Sequence, residues 1–278
     1  MDLTLHEFGD PSGEPLLFCH GWPGSGTQAV LLDVAAKRRG YRVVAPDRPG
    51  IGHSIYHAGR RLSDWPEDVR RIARLLGWQH FSVLGISGGG PYALACAHAM
   101  PELLRSVAIV SGAPPLADPR DWPLLHLIYR ILLNLFHRRP ALIRAILSAV
   151  KPLIHWQGAD SFYRPCRVLL PSCDAAAIAS PENFAAVFNC QREAFTNIDG
   201  LFTDAAIYAH PWGFDPAAIR IPVDFWHGND DANFHPDLAR SLAALLPCAK
   251  LRVLEHEGHF SLPINQADTI LAALRNSC

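Results

Sequence analysis

Short apolar runs alternate with longer amphipathic stretches along most of the chain. Six of these runs are dominated by aliphatic and β-branched residues, and we predict that they are strands. They cover residues 16–19, 42–45, 81–84, 107–110, 223–226 and 251–254. Strands that alternate with helical patterns are typical of βαβ units in a mostly parallel sheet. Because each run is almost continuously apolar, helices are expected on both faces of the sheet. The expected fold class is α/β, with a twisted sheet flanked by helices.

A helix is predicted over residues 61–76, between the second and third of these runs. Val69 and Ile72 fall on one face at helical spacing. Pro66 suits the first turn of a helix, and Gly77 is the kind of residue at which a helix ends. The alternation of strand and helix therefore holds through this region.

Residues 114–216 interrupt the alternation, because they contain no strand signal. Two stretches within them, residues 124–136 and 141–150, instead have apolar positions at helical spacing. We interpret the whole segment as a helical cap inserted into an α/β core. The predicted organisation is a core domain of residues 1–113 and 217–278, with residues 114–216 as the cap.

Composition and charge narrow the class of ligand. Of the 278 residues, 49% are hydrophobic and 18% are charged, which is enough apolar material for a buried core. The 25 lysines and arginines nearly balance the 26 aspartates and glutamates, and no long run of either sign occurs. This balance argues against nucleic-acid binding and favours a small ligand with little or no charge.

The cysteines and the first residues bear on location. Seven cysteines are scattered without a CxxC pair, as in a cytosolic protein with reduced thiols. Residues 1–15 lack a basic start followed by an apolar run, and the chain has no apolar stretch of about 18 residues. We expect a cytoplasmic protein without a membrane span, and the sequence does not indicate its oligomeric state.

Residues 81–94 carry the strongest chemical signal. Their sequence, FSVLGISGGGPYAL, combines a strand, a G-x-S-x-G turn from Gly85 to Gly89, and the start of a helix. A serine on such a sharp turn needs neighbours without side chains. The helix directs its first amides at Ser87, so the Gly88 N–H is the expected first donor to an oxyanion. A plain glycine turn or a phosphate cradle is the alternative, but neither GK[ST] nor GxGxxG spacing is present.

Three further segments supply the other groups that a serine nucleophile needs. FCHGWPGSG follows an early strand and offers the Trp22 N–H as a second oxyanion donor. WHGNDD and EHEGHFSL each follow a later strand, and they contain Asp231 and His259. A serine hydroxyl needs a histidine to take its proton, and that histidine needs a buried acid to orient it. We therefore predict a triad of Ser87, His259 and Asp231.

The sequence resembles the α/β-hydrolase superfamily. The motifs that carry the resemblance are HGWPGS (20–25), DRPGIGHS (47–54), GISGGG (85–90), HGNDD (227–231) and GHFS (258–261). The similarity is to the capped, cofactor-free branch, which includes esterases, lipases, C–C bond hydrolases and perhydrolases, and covers nearly the whole chain outside the cap. It implies the chain order serine, acid, histidine.

The same resemblance decides between two adjacent acids. It places the acid four positions after His227, at Asp231, and Asp230 is expected to face elsewhere. Phe234 and His235 stand where relatives often have valine and proline, and we assign them no role.

Polar residues near these motifs have structural interpretations. His20 is expected to form hydrogen bonds within the fold. Asp47 and Arg48 of DRPGIGHS are expected to hold their loop through an ion pair or hydrogen bonds.

Histidine spacing offers a weaker alternative chemistry. His53 and His57, and likewise His256 and His259, have spacings that a metal ion could use, but neither pair lies in an HExxH pattern. We expect no metal and no cofactor.

The predicted cap has two features that bear on its ligands. Residues 124–147 are apolar with four interleaved arginines, which fits either weak contact with a lipid surface or packing of the apolar face on the core. Six aromatic residues would either line an apolar site above Ser87 or fill the interior of the cap. They are Phe184, Phe188, Phe195, Phe202, Tyr208 and Trp212.

The expected reaction is hydrolysis of a small apolar or aromatic ester through an acyl-enzyme. Ser87 would attack the carbonyl carbon, His259 would move the proton, and Asp231 would hold His259. The amides of Trp22 and Gly88 would bind the oxyanion. A C–C bond hydrolase or a cofactor-free perhydrolase would use the same triad, and a ligand-binding receptor with little turnover would keep the same fold. The sequence leaves these alternatives open.

Overall fold

The computed structural model describes residues 2–156 and 170–276, and these contain a seven-stranded sheet. The strands are β1 (Leu5–Gly9), β2 (Glu14–Cys19), β3 (Tyr41–Pro46), β4 (Phe81–Ile86), β5 (Leu104–Val110), β6 (Val223–Gly228) and β7 (Ala249–Leu254). Their order is β1-β3-β2-β4-β5-β6-β7; β1 is antiparallel to β3, and the other neighbouring pairs are parallel. The predicted α/β class with a mostly parallel sheet is confirmed.

All six predicted strands are present, and β1 is a further strand that the hydrophobic pattern did not predict. It lies at the edge of the sheet, and only Gly9 among its five residues is buried. An edge strand that is partly open to solvent needs no continuous apolar run. For this reason the sequence of residues 5–9 carries no strand signal.

Helices cover both faces of the sheet. In chain order they are α1 (Asp33–Arg39), α2 (Trp65–Leu76), α3 (Gly90–Ala99), α4 (Leu127–Arg138), α5 (Pro140–Trp156), α6 (Ser172–Ala177), α7 (Pro181–Ala194), α8 (Ile198–Ala209), α9 (Pro236–Leu245), α10 (Ser261–Asn265) and α11 (Ala267–Asn276). The helix predicted over residues 61–76 is α2 with a 3₁₀ turn at Leu62–Asp64 before it. It ends at Gly77, whose φ of 70° suits the left-handed end of a helix.

Alternate residues of the central strands pack on opposite faces of the sheet. In β2, Leu17 and Cys19 belong to one apolar cluster, whereas Leu16 and Phe18 belong to another. The first cluster includes residues of α2, α3 and α9, and the second includes residues of α1 and α11. Both faces are therefore buried as predicted, and the carboxyl ends of the strands are where loops can carry functional groups.

The described chain between β5 and β6 is helical, and we call α4–α8 the inserted helices. α4 and α5 overlap the two stretches that were predicted to be helical. Phe136 and Ile143 of these helices belong to the same apolar cluster as α2 and α3. Residues 157–169, which include Cys166, and the terminal Cys278 lie outside the described residues.

Two general expectations concern thiols and membrane spans. Cys19, Cys96, Cys173, Cys190 and Cys248 are free thiols. Within residues 2–156 and 170–276, every helix is too short or too polar to cross a bilayer.

Candidate active site

Ser87 lies on a tight turn between β4 and α3. Its φ of 52° is in the left-handed region, which residues with a Cβ rarely adopt. A Cβ on Gly89 would lie 1.9 Å from the carbonyl oxygen of Cys19, and one on Gly85 would lie 2.5 Å from the carbonyl oxygen of Gly89. Close backbone contacts therefore require both glycines of the G-x-S-x-G turn.

Ser87, His259 and Asp231 form a chain of hydrogen bonds. The Ser87 hydroxyl donates to His259 Nε2 at 2.9 Å, and His259 Nδ1–H donates to Asp231 Oδ2 at 2.9 Å. The three side chains follow β4, β7 and β6, so they meet at the carboxyl edge of the sheet. Each residue is only 5–6% exposed. The structure thus brings the three predicted triad residues together.

Asp231 and Asp230 have different surroundings although they are adjacent. Asp230 is exposed, whereas Asp231 is buried. Asp231 Oδ1 accepts backbone N–H bonds from Asn233 at 2.8 Å and Phe234 at 3.0 Å. These bonds fix the carboxylate with Oδ2 toward His259, in the orientation expected for the acid of a triad.

Burial and charge oppose each other at His259. Burial disfavours the imidazolium and lowers the pKa of His259, but the charge and hydrogen bond of Asp231, with a smaller contribution from Asp174, raise it above the ordinary histidine value. The pKa of Asp231 is lowered, because its interactions with His259 outweigh the effect of burial. Asp231 is therefore ionised at neutral pH and favours a proton on His259.

The backbone N of Trp22 lies close to Gly88, and both residues are beside Ser87. A Cβ on Gly88 would be 3.1 Å from Trp22 N, and both residues line a pocket at Ser87. Across the described ranges, neither amide donates to a protein acceptor. Two such donors can stabilise an anionic oxygen that forms at this point.

An apolar pocket of about 90 Å³ opens at Ser87. Leu133 and Phe136 of α4 and Ile143 and Leu147 of α5 form much of its wall. Its volume is several times what one water molecule requires. The pocket can therefore accept an apolar group attached to a carbon that Ser87 attacks.

A second pocket of about 80 Å³ also reaches Ser87. His259 lines this second pocket but not the apolar one. Gln28, Gln191 and Asn233 give it amide groups. As far as the described residues line them, neither pocket contains an aspartate or a glutamate. The described linings of the two pockets thus differ in polarity, and neither includes an anionic group.

Comparison with known proteins identifies the family to which this chain belongs. A family model described as alpha/beta hydrolase fold matches residues 14–145. A proline iminopeptidase of Neisseria gonorrhoeae is 30% identical, in an alignment that covers 99% of this chain and 92% of that protein. The chain belongs to the α/β-hydrolase fold family.

Two further similarities differ in their extent. A serine hydrolase-like protein of Danio rerio is 35% identical over 113 residues, which are 39% of this chain and 34% of that protein. This chain therefore matches about a third of the length of the fish protein. The solved structure of a thermophilic esterase from Thermogutta terrifontis has a TM-score of 0.67 at 21% identity and covers 99% of this chain and 92% of its own. That likeness is one of fold.

Asp174 is a buried carboxylate of this α/β-hydrolase whose role was not predicted from the sequence. It lies on α6, is 1% exposed, and accepts the backbone N–H groups of His259, Phe260 and Ser261 at 2.8–3.0 Å. A Cβ on Gly258 would lie 2.5 Å from its Oδ1, so a glycine is needed there. Asp174 thus holds the backbone that carries His259, and a lone aspartate in a helical stretch gives no spacing signal for such a role.

A second buried carboxylate, Asp204 of α8, binds Arg48, and Arg48 in turn binds the backbone next to Trp22. Arg48 Nε donates to Asp204 Oδ2 at 2.9 Å, and its two terminal nitrogens donate to the carbonyl oxygens of His20 and Gly21 at 2.6 and 3.0 Å. The Gly21 carbonyl and the Trp22 N–H belong to one peptide group. Arg48 therefore fixes the orientation of the predicted oxyanion donor.

Asp47 forms hydrogen bonds within the fold, as expected. It does so with different partners from those of the neighbouring Arg48. Its two oxygens accept from Gly26 N–H at 2.6 Å and from His6 Nε2 at 3.1 Å. His6, Asp47 and Glu193 are the one group of three potential metal ligands that lie close together in the described part of the chain. Two hydroxyl groups donate to Glu193, so the cluster is a hydrogen-bonded junction of β1, a core loop and α7.

Phe234, for which the sequence predicted no role, contacts the predicted triad. Its ring packs edge-on against the His259 ring with centroids 5.5 Å apart, and it lines the apolar pocket. Together with its N–H bond to Asp231, this contact restrains both partners of Ser87.

The six aromatic residues of the insertion mostly fill its interior. Of these six, which all lie in the described ranges, Tyr208 alone lines a pocket at Ser87, and its hydroxyl donates to the carbonyl oxygen of Gly88 at 2.9 Å. Four of the others are only 2–8% exposed, and Phe202 is partly buried against the same apolar cluster. The packing alternative is therefore correct for five of the six, and the lining alternative for Tyr208.

Proposed function

We propose that this α/β-hydrolase is a serine esterase that cleaves carboxylic esters with an apolar acyl group. The observation that carries the proposal is the hydrogen-bonded series Ser87–His259–Asp231 at the mouth of an apolar pocket. A serine in this arrangement is an activated nucleophile, because the histidine can accept its proton.

The reaction follows from the positions of these groups. Ser87 Oγ forms a bond to the ester carbonyl carbon while His259 Nε2 takes the hydroxyl proton. The amides of Trp22 and Gly88 donate to the oxygen on which negative charge develops. The intermediate collapses to an acyl-enzyme as the alcohol leaves with the proton from His259. His259 then deprotonates a water molecule, whose attack releases the carboxylic acid and restores Ser87.

The two pockets suit the two halves of an ester. The apolar pocket suits the acyl chain, because its wall is formed by aliphatic side chains of the inserted helices. The pocket lined by His259 suits the alcohol, because the leaving oxygen must receive its proton from His259 Nε2. Gln28, Gln191 and Asn233 could hydrogen bond a neutral polar alcohol there. On this proposal residues 114–216 act as a cap that forms the acyl site.

Charge favours an ester over a substrate with a free amino group. An ammonium group in a buried pocket needs an anionic partner, and among the described lining residues neither pocket supplies a carboxylate. Although a proline iminopeptidase is among the similar proteins, we therefore propose neutral esters as substrates of this chain.

The test combines covalent labelling with turnover. A fluorophosphonate probe should label wild-type protein at Ser87, and p-nitrophenyl butyrate should be hydrolysed, whereas prolyl p-nitroanilide should not. Ser87→Ala should abolish labelling and lower kcat by about 10⁴-fold or more. Ser111→Ala is the matched control: Ser111 is also buried with a positive φ, and within the described chain its hydroxyl has no partner.

Four outcomes would count against the proposal. An unlabelled Ser87 in folded wild-type protein would favour a ligand-binding receptor. Labelling without ester hydrolysis would favour C–C bond cleavage by the same triad, and faster reaction with peroxide than with water would favour a perhydrolase. An equal loss of labelling and of ester hydrolysis in the Ser87 and Ser111 variants would mean that the effect is not specific to a nucleophile at Ser87.

A further inference from the structure

The outer side of α5 carries an apolar stripe. Leu142, Ile146, Leu153 and Trp156 are 37–85% exposed and follow one another at spacings of four, seven and three residues. Residues at such spacings share one side of a helix. The core-facing residues of α5 lie on a different side, so this helix has two apolar sides and the described core uses one of them.

The neighbouring helix α4 also carries exposed apolar side chains. Leu127, Ile128 and Ile131 are 54–60% exposed, and α4 packs against α5. We call the exposed apolar side chains of α4 and α5 the docking surface. Single exposed apolar residues are common on proteins, but a group of this size on two neighbouring helices marks a contact surface.

Charge indicates what this surface contacts. Residues 127–156 contain four arginines and one lysine but no aspartate or glutamate. Arg144 pairs with Asp199, whereas among the described residues no carboxylate pairs with Arg130, Arg138 or Arg139. An apolar helix face flanked by free cations fits a bilayer with anionic headgroups. A symmetric contact with a second copy would instead bring these arginines toward each other.

We propose that α4 and α5 dock this protein on the surface of an anionic lipid bilayer. The apolar side chains enter the headgroup region, and the arginines contact lipid phosphates. This inference goes beyond the proposed esterase function and does not depend on it.

The docking surface adjoins the acyl pocket. Ile146 lines the apolar pocket at Ser87 and is also 37% exposed, so the pocket wall continues onto the outer side of α5 at this residue. An acyl chain dissolved in the bilayer would therefore have a short apolar path to Ser87. This second point, unlike the docking itself, rests on the proposed function.

The docking is tested by flotation with vesicles, using the full chain with Ser87→Ala so that no lipid is cleaved. The protein should float with vesicles of phosphatidylcholine and phosphatidylglycerol in equal parts but not with phosphatidylcholine alone, and salt should weaken binding. Arg138→Glu with Arg139→Glu should lower partitioning by about tenfold or more. Ile131→Ser with Leu153→Ser should lower it as well.

The matched control is on α2, which also has exposed cationic and apolar residues. Arg71→Glu with Leu75→Ser should leave vesicle binding unchanged; the Arg71 side chain is 59% exposed and Leu75 is 64% exposed. Absence of any preference for anionic vesicles, or equal loss in this control, would overturn the proposal. So would a dimer in light scattering that Ile131→Ser with Leu153→Ser converts to a monomer, since a second copy would then cover the surface.

Measurements of turnover distinguish binding to the bilayer from delivery of the acyl chain to Ser87. An ester dissolved in anionic vesicles should be cleaved more slowly by the Arg138→Glu, Arg139→Glu variant than by wild type, and a water-soluble ester equally fast. If vesicles bind but neither ester is cleaved, docking is supported and the proposed function fails. If docking is lost without any change in cleavage of the vesicle ester, delivery through the docking surface is wrong.

Discussion

Two carboxylates act on His259 from opposite ends. Asp231 accepts from its ring, and Asp174 accepts from its backbone N–H and from the two amides that follow. Asp231 selects the tautomer in which Nε2 is free to take the Ser87 proton. Asp174 fixes the position of the His259 backbone, so the orientation of the imidazole ring depends on both carboxylates.

Replacing Asp174 tests its effect on position and on charge. Asp174→Asn keeps an acceptor oxygen but removes a negative charge that raises the pKa of His259. A general base acts in its neutral form, so activity falls as pH drops through that pKa, above about 6.5 in wild type. The acid limb of kcat/KM should therefore move to lower pH, and kcat should fall about 10- to 100-fold through misplacement of His259.

The pH profile distinguishes this role from a purely structural one. Glu182→Gln removes an exposed carboxylate from the same insertion and should change neither quantity. A loss of kcat in Asp174→Asn with an unmoved acid limb would show that the charge of Asp174 does not reach His259.

On the proposed function, Leu147 limits the length of the acyl chain that the apolar pocket accepts. It lines the apolar pocket, so Leu147→Ala should enlarge it and shift the preference among p-nitrophenyl esters to longer chains. Each added methylene that the new space buries should raise kcat/KM by about fourfold relative to wild type. Leu142→Ala shortens an exposed leucine on the same helix and should leave the preference unchanged. An unaltered chain-length profile in Leu147→Ala would place the acyl group elsewhere.

Six of the seven strands in the described sheet, and the groups at their carboxyl ends, were predictable because each depends on local sequence. β4 is a continuous apolar run, and Gly85 and Gly89 are needed by contacts within a few residues of Ser87 or with the neighbouring strand. Asp174 and Asp204 were not predictable, since their roles depend on where α6 and α8 pack on loops far away in the chain. Their sequence surroundings resemble those of ordinary helical acids.

The attachment of α8 to the core depends on Asp204. Its carboxylate is fully buried and pairs with Arg48 and Arg60. Asp204→Ala would leave two buried cations without their partner, which should destabilise the protein by about 3–5 kcal/mol in urea unfolding. Since Arg48 holds the peptide that carries the Trp22 N–H, kcat should also fall while KM changes little.

Asp199 offers a control on the same helix. It pairs with Arg144, but both side chains are substantially exposed. Asp199→Ala should therefore cost no more than about 1 kcal/mol and leave kcat unchanged. Similar losses of stability in the two variants would show that the buried network contributes no more than a surface ion pair.

The inserted helices and the sheet share one apolar interior. Phe136 of α4, Phe188 of α7 and Leu201 of α8 belong to the same cluster as Val69 of α2 and Ile109 of β5. The insertion is therefore continuous with the core, although it is separate in the chain. The sequence pattern separates the insertion from the core, whereas in the structure the two parts share one apolar cluster.

A shared interior predicts that core and insertion unfold together. Native-state hydrogen exchange should give the slowest amides of β4 and of α8 the same free energy of opening. Phe136→Ala, which removes a buried ring from the shared cluster, should lower both by about 3–5 kcal/mol, because a buried aromatic side chain leaves a cavity. Leu75→Ala on the exposed side of α2 should change both by about 0.5 kcal/mol or less. If α8 opens at a lower free energy than β4, or if Phe136→Ala lowers only the value for α8, the insertion is a separate folding unit. The acyl pocket would then open without loss of the sheet, and its chain-length preference would depend on that opening as well as on Leu147.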